Sequence, residues 1–170
     1  VPAAQAQTIS NTASASWTQQ GNPFSVNSNT VSFSLDQGTV SIETFVAAAG
    51  GQTLNFSAPT CGGSPIALPG TGGSSLAVTV DPATTLRVGN ALYFQVSAPA
   101  ANTDPAAIDS LTATITTTSG DREVLTEFET AANSGVFVGA IQTAAIPPAA
   151  SHGDCRLSVG AGTEITIATS

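Results

Sequence analysis

The chain contains no lysine and no methionine, and among its 170 residues there are only three arginines, one histidine, one tryptophan and one tyrosine. Charged residues make up 8 %, against a usual share near ~25 %. Each shortage excludes something. Three arginines cannot build the basic surface that displaces counterions from nucleic-acid phosphates, so no nucleic-acid partner is expected. A helical bundle would draw on Lys, Glu and Met. An acidic disordered chain would hold less Val, Ile, Leu and Phe than this one, whose hydrophobic share is 41 %. The longest apolar stretches, Thr44–Ala49 and Ala144–Ala150, fall far short of the ~20 residues of a membrane helix, so no membrane span is expected. There is no phosphate loop, G-x-S-x-G elbow, H-E-x-x-H or dinucleotide fingerprint. Asn55-Phe-Ser57 matches a glycosylation sequon, a pattern short enough to arise by chance.

What is present is period-2 alternation rich in β-branched residues, which puts alternate side chains on one buried face. It runs through 12–18, 30–35, 39–45, 76–80, 91–96, 111–117, 124–128, 136–141 and 164–168, separated by turn signals such as Gln20-Gly-Asn-Pro23, Ser119-Gly-Asp121 and Asn133-Ser-Gly135. No segment carries a 3.6-residue apolar stripe; Ala47–Ala49 and Pro105–Ile108 offer a helical turn each at most. The expected fold is all-β, a sandwich or open barrel. Residues Pro59–Ser75 are rich in Gly and Pro and read as a linker or long surface loop. The expected organisation is therefore an N-terminal β region with its linker, 1–74, and a module at 75–170, two parts that can also pack as one unit.

The two cysteines, Cys61 and Cys155, lie in loop-like sequence, and in an oxidising compartment they pair most economically with each other. A catalytic thiol would have only His152 as a partner, and a zinc site would lack ligands. The N-terminus, Val1 to Gln7, is rich in Ala and fits the A-x-A pattern of a signal-peptidase site. Together these point to export, with a leader removed, and to a secreted or cell-surface location.

Two groups of side chains carry candidate chemistry. Asn102, Asp104 and Asp109 form the most calcium-like cluster, since Ca²⁺ takes several oxygens from one or two loops; the competing reading is a set of Asx turns. Glu127 and Glu129 share one face of a strand, opposite Phe128. They read as solvated carboxylates rather than a glycosidase pair, because one Trp and one Tyr leave little for an aromatic-lined cleft.

Two stretches resemble a known class of protein. The phrases Ile9-Ser-Asn-Thr-Ala and Ser28-Asn-Thr-Val each open a strand, and the two strands suit a hairpin. The run Val88-Gly-Asn-Ala-Leu-Tyr-Phe-Gln-Val, then Asp109-Ser-Leu-Thr-Ala-Thr-Ile, Leu125-Thr-Glu-Phe-Glu-Thr130 and Asn133-Ser-Gly-Val-Phe-Val-Gly is similar to the Ig-like repeats of large bacterial surface and outer-membrane-associated, adhesin-like proteins. The resemblance implies an Ig-like β-sandwich with an N-terminal hairpin and long Gly/Pro-rich loops. It also implies a non-enzymatic structural role without a cofactor. In those repeats the loop around 102–109 is richer in Asp; here Ser97–Ala101 replaces part of it. Missing Lys forbids the Lys–Asn isopeptide cross-links of some surface repeats.

The expectation is a building block of a surface fibre or adhesin whose partners are itself or neighbouring domains. It is either a fragment of a longer repeat protein or a complete subunit that polymerises through the charge-free Val1–Thr8 segment by strand addition. The alternative is a carbohydrate-binding or adhesive module using Trp17 or Tyr93, although both sit in alternating strands that favour core burial.

Overall fold

The computed structural model describes residues 7–35, 38–69 and 73–170, with side chains from residue 10 to 32 in the first segment. The described residues are all-β: strands throughout, one 3-10 turn at Pro99–Ala101, and no α-helix. The described residues up to 38 form one compact unit and those from 39 onward another.

The smaller unit is a two-stranded ribbon. Strands β2 (Ser14–Gln19) and β3 (Asn22–Asn27) pair antiparallel from Ser14↔Asn27 to Gln19↔Asn22. Gln20 and Gly21 between them both have positive φ, 52° and 85°, the backbone of a two-residue turn whose twist matches the strands. Strands β1 (Gln7–Asn11) and β4 (Val31–Leu35) extend the ribbon, from Gln7↔Leu35 to Asn11↔Val31. Ser28 holds the junction: its N–H donates to the Ala13 carbonyl at 2.8 Å, and its hydroxyl accepts from the Ala13 N–H at 3.0 Å. The two strands expected to make a hairpin thus belong to a longer one. Residues 1–6 of the expected strand-adding segment Val1–Thr8 lie outside the described residues, and Gln7 and Thr8 begin β1.

The larger unit is one curled sheet built from β5 (Ser41–Ser57), β6 (Thr60–Cys61), β7 (Ser64–Pro65), β8 (Ser75–Pro82), β9 (Ala91–Ser97), β10 (Ser110–Thr117), β11 (Arg122–Glu129), β12 (Val136–Ala145), β13 (Arg156–Val159) and β14 (Ile165–Thr169). Its order is β14-β10-β11-β12-β9-β5-β8, with β13 against β12 and the short β6–β7 pair against β11. The curl has a local cause. β11 and β12 share only Phe128↔Val138 and Glu129↔Phe137. Beyond that point each takes another neighbour: β11 meets Thr60 and Cys61, and β12 runs parallel to β13 from Gln142↔Arg156 to Ala145↔Val159.

The core fills the curl with Phe45, Phe94, Phe137, Ile115, Leu125, Ile141 and Leu157. In β9 the run Ala-Leu-Tyr-Phe is buried on successive residues, as in a strand covered on both faces. On one of these faces, Tyr93 meets Phe56 edge-to-face at 6.4 Å between ring centroids. On the other, Phe94 leans over Gly139, where an added Cβ would stand 2.2 Å from the ring.

Three expectations change. The boundary between compact units falls at 38/39, not at 74/75, because β5, between Phe45 and Ser57, pairs the whole of β8. The Gly/Pro-rich stretch 59–75 is not a free linker in its described part: Cys61, Ile66 and Leu68 are buried there and β6 pairs β11. Ala47–Ala49 belongs to β5, not to a helical turn; a register shift between Ala47 and Gln52 absorbs the extra residues.

Cys61 and Cys155 form the expected disulfide, with Cα atoms 5.7 Å apart across 94 residues of sequence. In the chain-entropy account a closed loop of this size stabilises by about 4–5 kcal/mol. Cys61→Ser/Cys155→Ser should lose an amount of that order, read as a lower urea midpoint with the slope altered by the released loop. Gly139→Ala should cost roughly 1–3 kcal/mol or more by overpacking; an unchanged melting temperature would contradict the close approach of Phe94.

Candidate functional site

Four of the eleven carboxylates lie within nine residues, Asp121, Glu123, Glu127 and Glu129, and all four are buried. Glu127 and Glu129 were expected to be solvated, and the structure reverses this. β11 turns its acidic face inward and leaves Val124 exposed and Phe128 half-buried. The signal was in the register: Leu125, fully buried, has the same parity as the four acids. A buried carboxylate is tolerable only when hydrogen bonds replace its water, and three of the four find them. Asp121 accepts from the Ser158 N–H at 2.6 Å and the Arg122 N–H at 2.7 Å. Glu123 accepts from the N–H groups of Gly153 at 2.7 Å, Asp154 at 3.3 Å and Cys155 at 2.9 Å. Glu129 accepts from the Gly135 N–H at 2.7 Å and the Asp109 N–H at 3.1 Å. Each acid therefore ties a neighbouring loop or strand to β11 by its backbone. Burial still raises the Glu123 pKa, helped by the nearby charges of Asp121 and Asp154, while the Cys155 and Gly153 amides pull it back.

Glu127 differs. Neither carboxyl oxygen has a hydrogen-bond partner, and its Oε1 shares with the Phe94 ring the space left by the missing side chain of Gly139. Desolvation pushes its pKa up to about 8, so near neutral pH the acid is mostly protonated and uncharged. Paired glycosidic chemistry needs two carboxyls open to a sugar. Here Glu127 is sealed and Glu129 is engaged by amides, while His152 is exposed and lies 3.7 Å from Asp121.

The expected calcium residues are only partly brought together. Asp109 accepts from the Thr103 N–H at 2.7 Å, the Thr103 hydroxyl at 2.7 Å and the Asp104 N–H at 2.9 Å. The Asp104 amide and the Thr103 hydroxyl hold its pKa below the ordinary carboxylate value. Asp104 accepts from the Ala106 N–H at 2.9 Å, an Asx turn. Asn102 instead donates to the Asn133 side-chain oxygen at 2.8 Å. Among the described residues the group with metal-holding spacing is Cys61, Glu123 and Cys155, whose sulfurs are already joined to each other.

The two large polar aromatics part company. Tyr93 is buried, and burial raises its pKa. Trp17, expected in a core, is 49 % exposed. It stacks on Phe24 across the ribbon, centroids 5.8 Å apart and planes 14° from parallel. The β2–β3 register puts Ala15, Trp17, Phe24 and Val26 on one face, with Ser14, Ser16, Thr18, Ser25 and Asn27 on the other. The ribbon is amphipathic, and among the described residues its apolar side chains Trp17, Phe24 and Val26 are exposed.

In the larger unit an apolar groove runs between the 84–88 segment and β14, walled by Leu86, Val88, Leu92, Val159, Ile165 and Ile167. Among the described residues β14 pairs with β10 alone. Glu164 accepts from the Thr118 N–H, and Ser170 donates to Thr112, both at 3.0 Å. By antiparallel alternation the N–H and C=O groups of Ile165, Ile167 and Thr169 point to the open edge.

No family model matches the chain, and no curated protein or solved structure matches it.

An unfolded Glu titrates near 4.5 and Glu127 near 8. Between those values the folded state keeps a proton that the unfolded state has released, so stability falls as pH rises, by about 4–5 kcal/mol across the window. Glu127→Gln should flatten this decline and melt above the parent protein at pH 9, with the gap closing towards pH 4. Because the Asp109 oxygens are filled by local donors, EDTA should leave the melting temperature unchanged; a drop would assign an ion to the 102–109 loop.

Proposed function

We propose that the chain is a non-enzymatic structural and interaction module, an Ig-like sandwich unit of an extracellular or cell-surface bacterial assembly that associates through its N-terminal region. The observation that carries this reading is the charge-free ribbon with its uncovered apolar face. A lone two-stranded ribbon is marginal in water, and this one buries none of its described side chains, so its apolar face fits one covered by a partner.

The sandwich description rests on the strand order. The sheet divides naturally where β11 and β12 separate, into a layer β14-β10-β11-β6-β7 and a layer β8-β5-β9-β12-β13, with Phe94 of the second meeting Glu127 of the first over Gly139. The disulfide supports an oxidising compartment. Together with the Ala-rich N-terminus it favours export.

A second reading has its own observation. The stacked Trp17–Phe24 pair is an exposed aromatic platform of the kind that can lie against a sugar ring. The two readings separate cleanly. Sedimentation velocity over a concentration series should show mass rising with concentration for the assembly module. A monomer that binds on a glycan array, with binding lost in Trp17→Ala, would establish the carbohydrate reading instead.

A further inference from the structure

We infer that the ribbon of one copy adds to the open β14 edge of a second copy, laying its Trp17–Phe24 face into the groove between β14 and the 84–88 segment. The inference rests on the assembly reading above and names the surface and the partner.

Backbone geometry is the first ground. Ile165, Ile167 and Thr169 present edge groups with no strand partner among the described residues, and each ribbon strand has an outer edge to offer. A strand added there continues the sheet and satisfies both rows of groups, the general mode of β-augmentation.

Side-chain alternation is the second. Ile165 and Ile167 are half-buried and point to the core side of β14, while Glu164, Thr166 and Ala168 point outward. A ribbon continuing this sheet with its Ala15/Trp17/Phe24/Val26 face on the same side would cover Leu86 and Val88, the latter 43 % exposed. Its Ser and Thr face would then continue the polar outer surface. Both faces match in one placement.

Charge selects the partner. Residues 1–35 contain no charged side chain, so the whole net charge of −8 lies in residues 36–170. Two larger units brought face to face repel one another. A neutral ribbon approaches such a unit without that penalty and without ion pairs to desolvate. Ribbon and groove are different surfaces, so the contact is heterologous and need not close.

The chain's only tryptophan reports the contact. In the parent chain, Trp17 emission should shift to the blue as concentration rises, in step with mass by sedimentation. Val88→Asp and Thr85→Asp, at exposed positions of the groove, should weaken association by about tenfold or more. Their far-UV spectra and melting temperatures should remain those of the parent. Val26→Asp, on the ribbon, should do the same. A mixture of Val26→Asp and Val88→Asp should form one-to-one dimers and stop there, because the first retains a groove and the second a ribbon. Association of the parent that persists in both groove variants would overturn the inference and leave the assembly reading standing. Loss of association in the single variants without dimers in the mixture would also overturn it. A parent protein that stays monomeric throughout would overturn both.

Discussion

The larger unit depends on hydrogen bonds from backbone N–H groups to the buried carboxylates of β11 and of the turn just before it. Where β11 and β12 part after two paired residues, the strand ladder no longer supplies acceptors for nearby chain. Asp121, Glu123 and Glu129 supply them instead, reaching β13, the 153–155 loop, the 133–135 turn and the start of β10. Such bonds are charge-assisted and directional. Apart from the start of β10, which pairs with β11, they hold segments that share no strand pairing with it, and they do so from inside. The cost is that each acid becomes obligatory, since losing it strands buried amides. Glu127 belongs to the same face without the same partners, and it escapes the cost of a buried charge by keeping its proton.

The two units divide the physical tasks. Residues 39–170 hold the disulfide, the aromatic core and nearly all the ionisable groups; the ribbon holds neither charge nor core. Charge is segregated: residues 1–35 carry none of it and residues 36–170 carry the whole net charge of −8. The low proportion of charge is a property of distribution as much as of amount.

Much of the fold was legible in the chain. Alternation at 76–80, 91–96, 111–117 and 136–141 coincides with β8, β9, β10 and β12, because those strands bury side chains at period 2 or on both faces. The disulfide was legible from two loop cysteines without competing ligands. Strand β13 was not, since Arg156–Val159 is too short for alternation and is secured by Asp121 from the turn before β11. The inward turn of the β11 acids was missed because single carboxylates usually face water; only Leu125, two residues from Glu123 and from Glu127, marked their side as the core. Trp17 misled in the opposite sense: a large aromatic in an alternating strand is normally covered, and the described ribbon has nothing to cover it.

The bridge between Cys61 and Cys155 also bears on how the molecule would respond to tension along its chain. Force applied at the two termini passes through the sulfur atoms and bypasses everything between them. Only the stretches outside the bridge can be drawn out, and the 94-residue loop, on the order of 300 Å if extended, stays locked. β8 through β12, the four acids and most of the aromatic core lie within it. Under load the larger unit would shed β5 and β14 first and keep a covalently closed remnant, a built-in limit on extension.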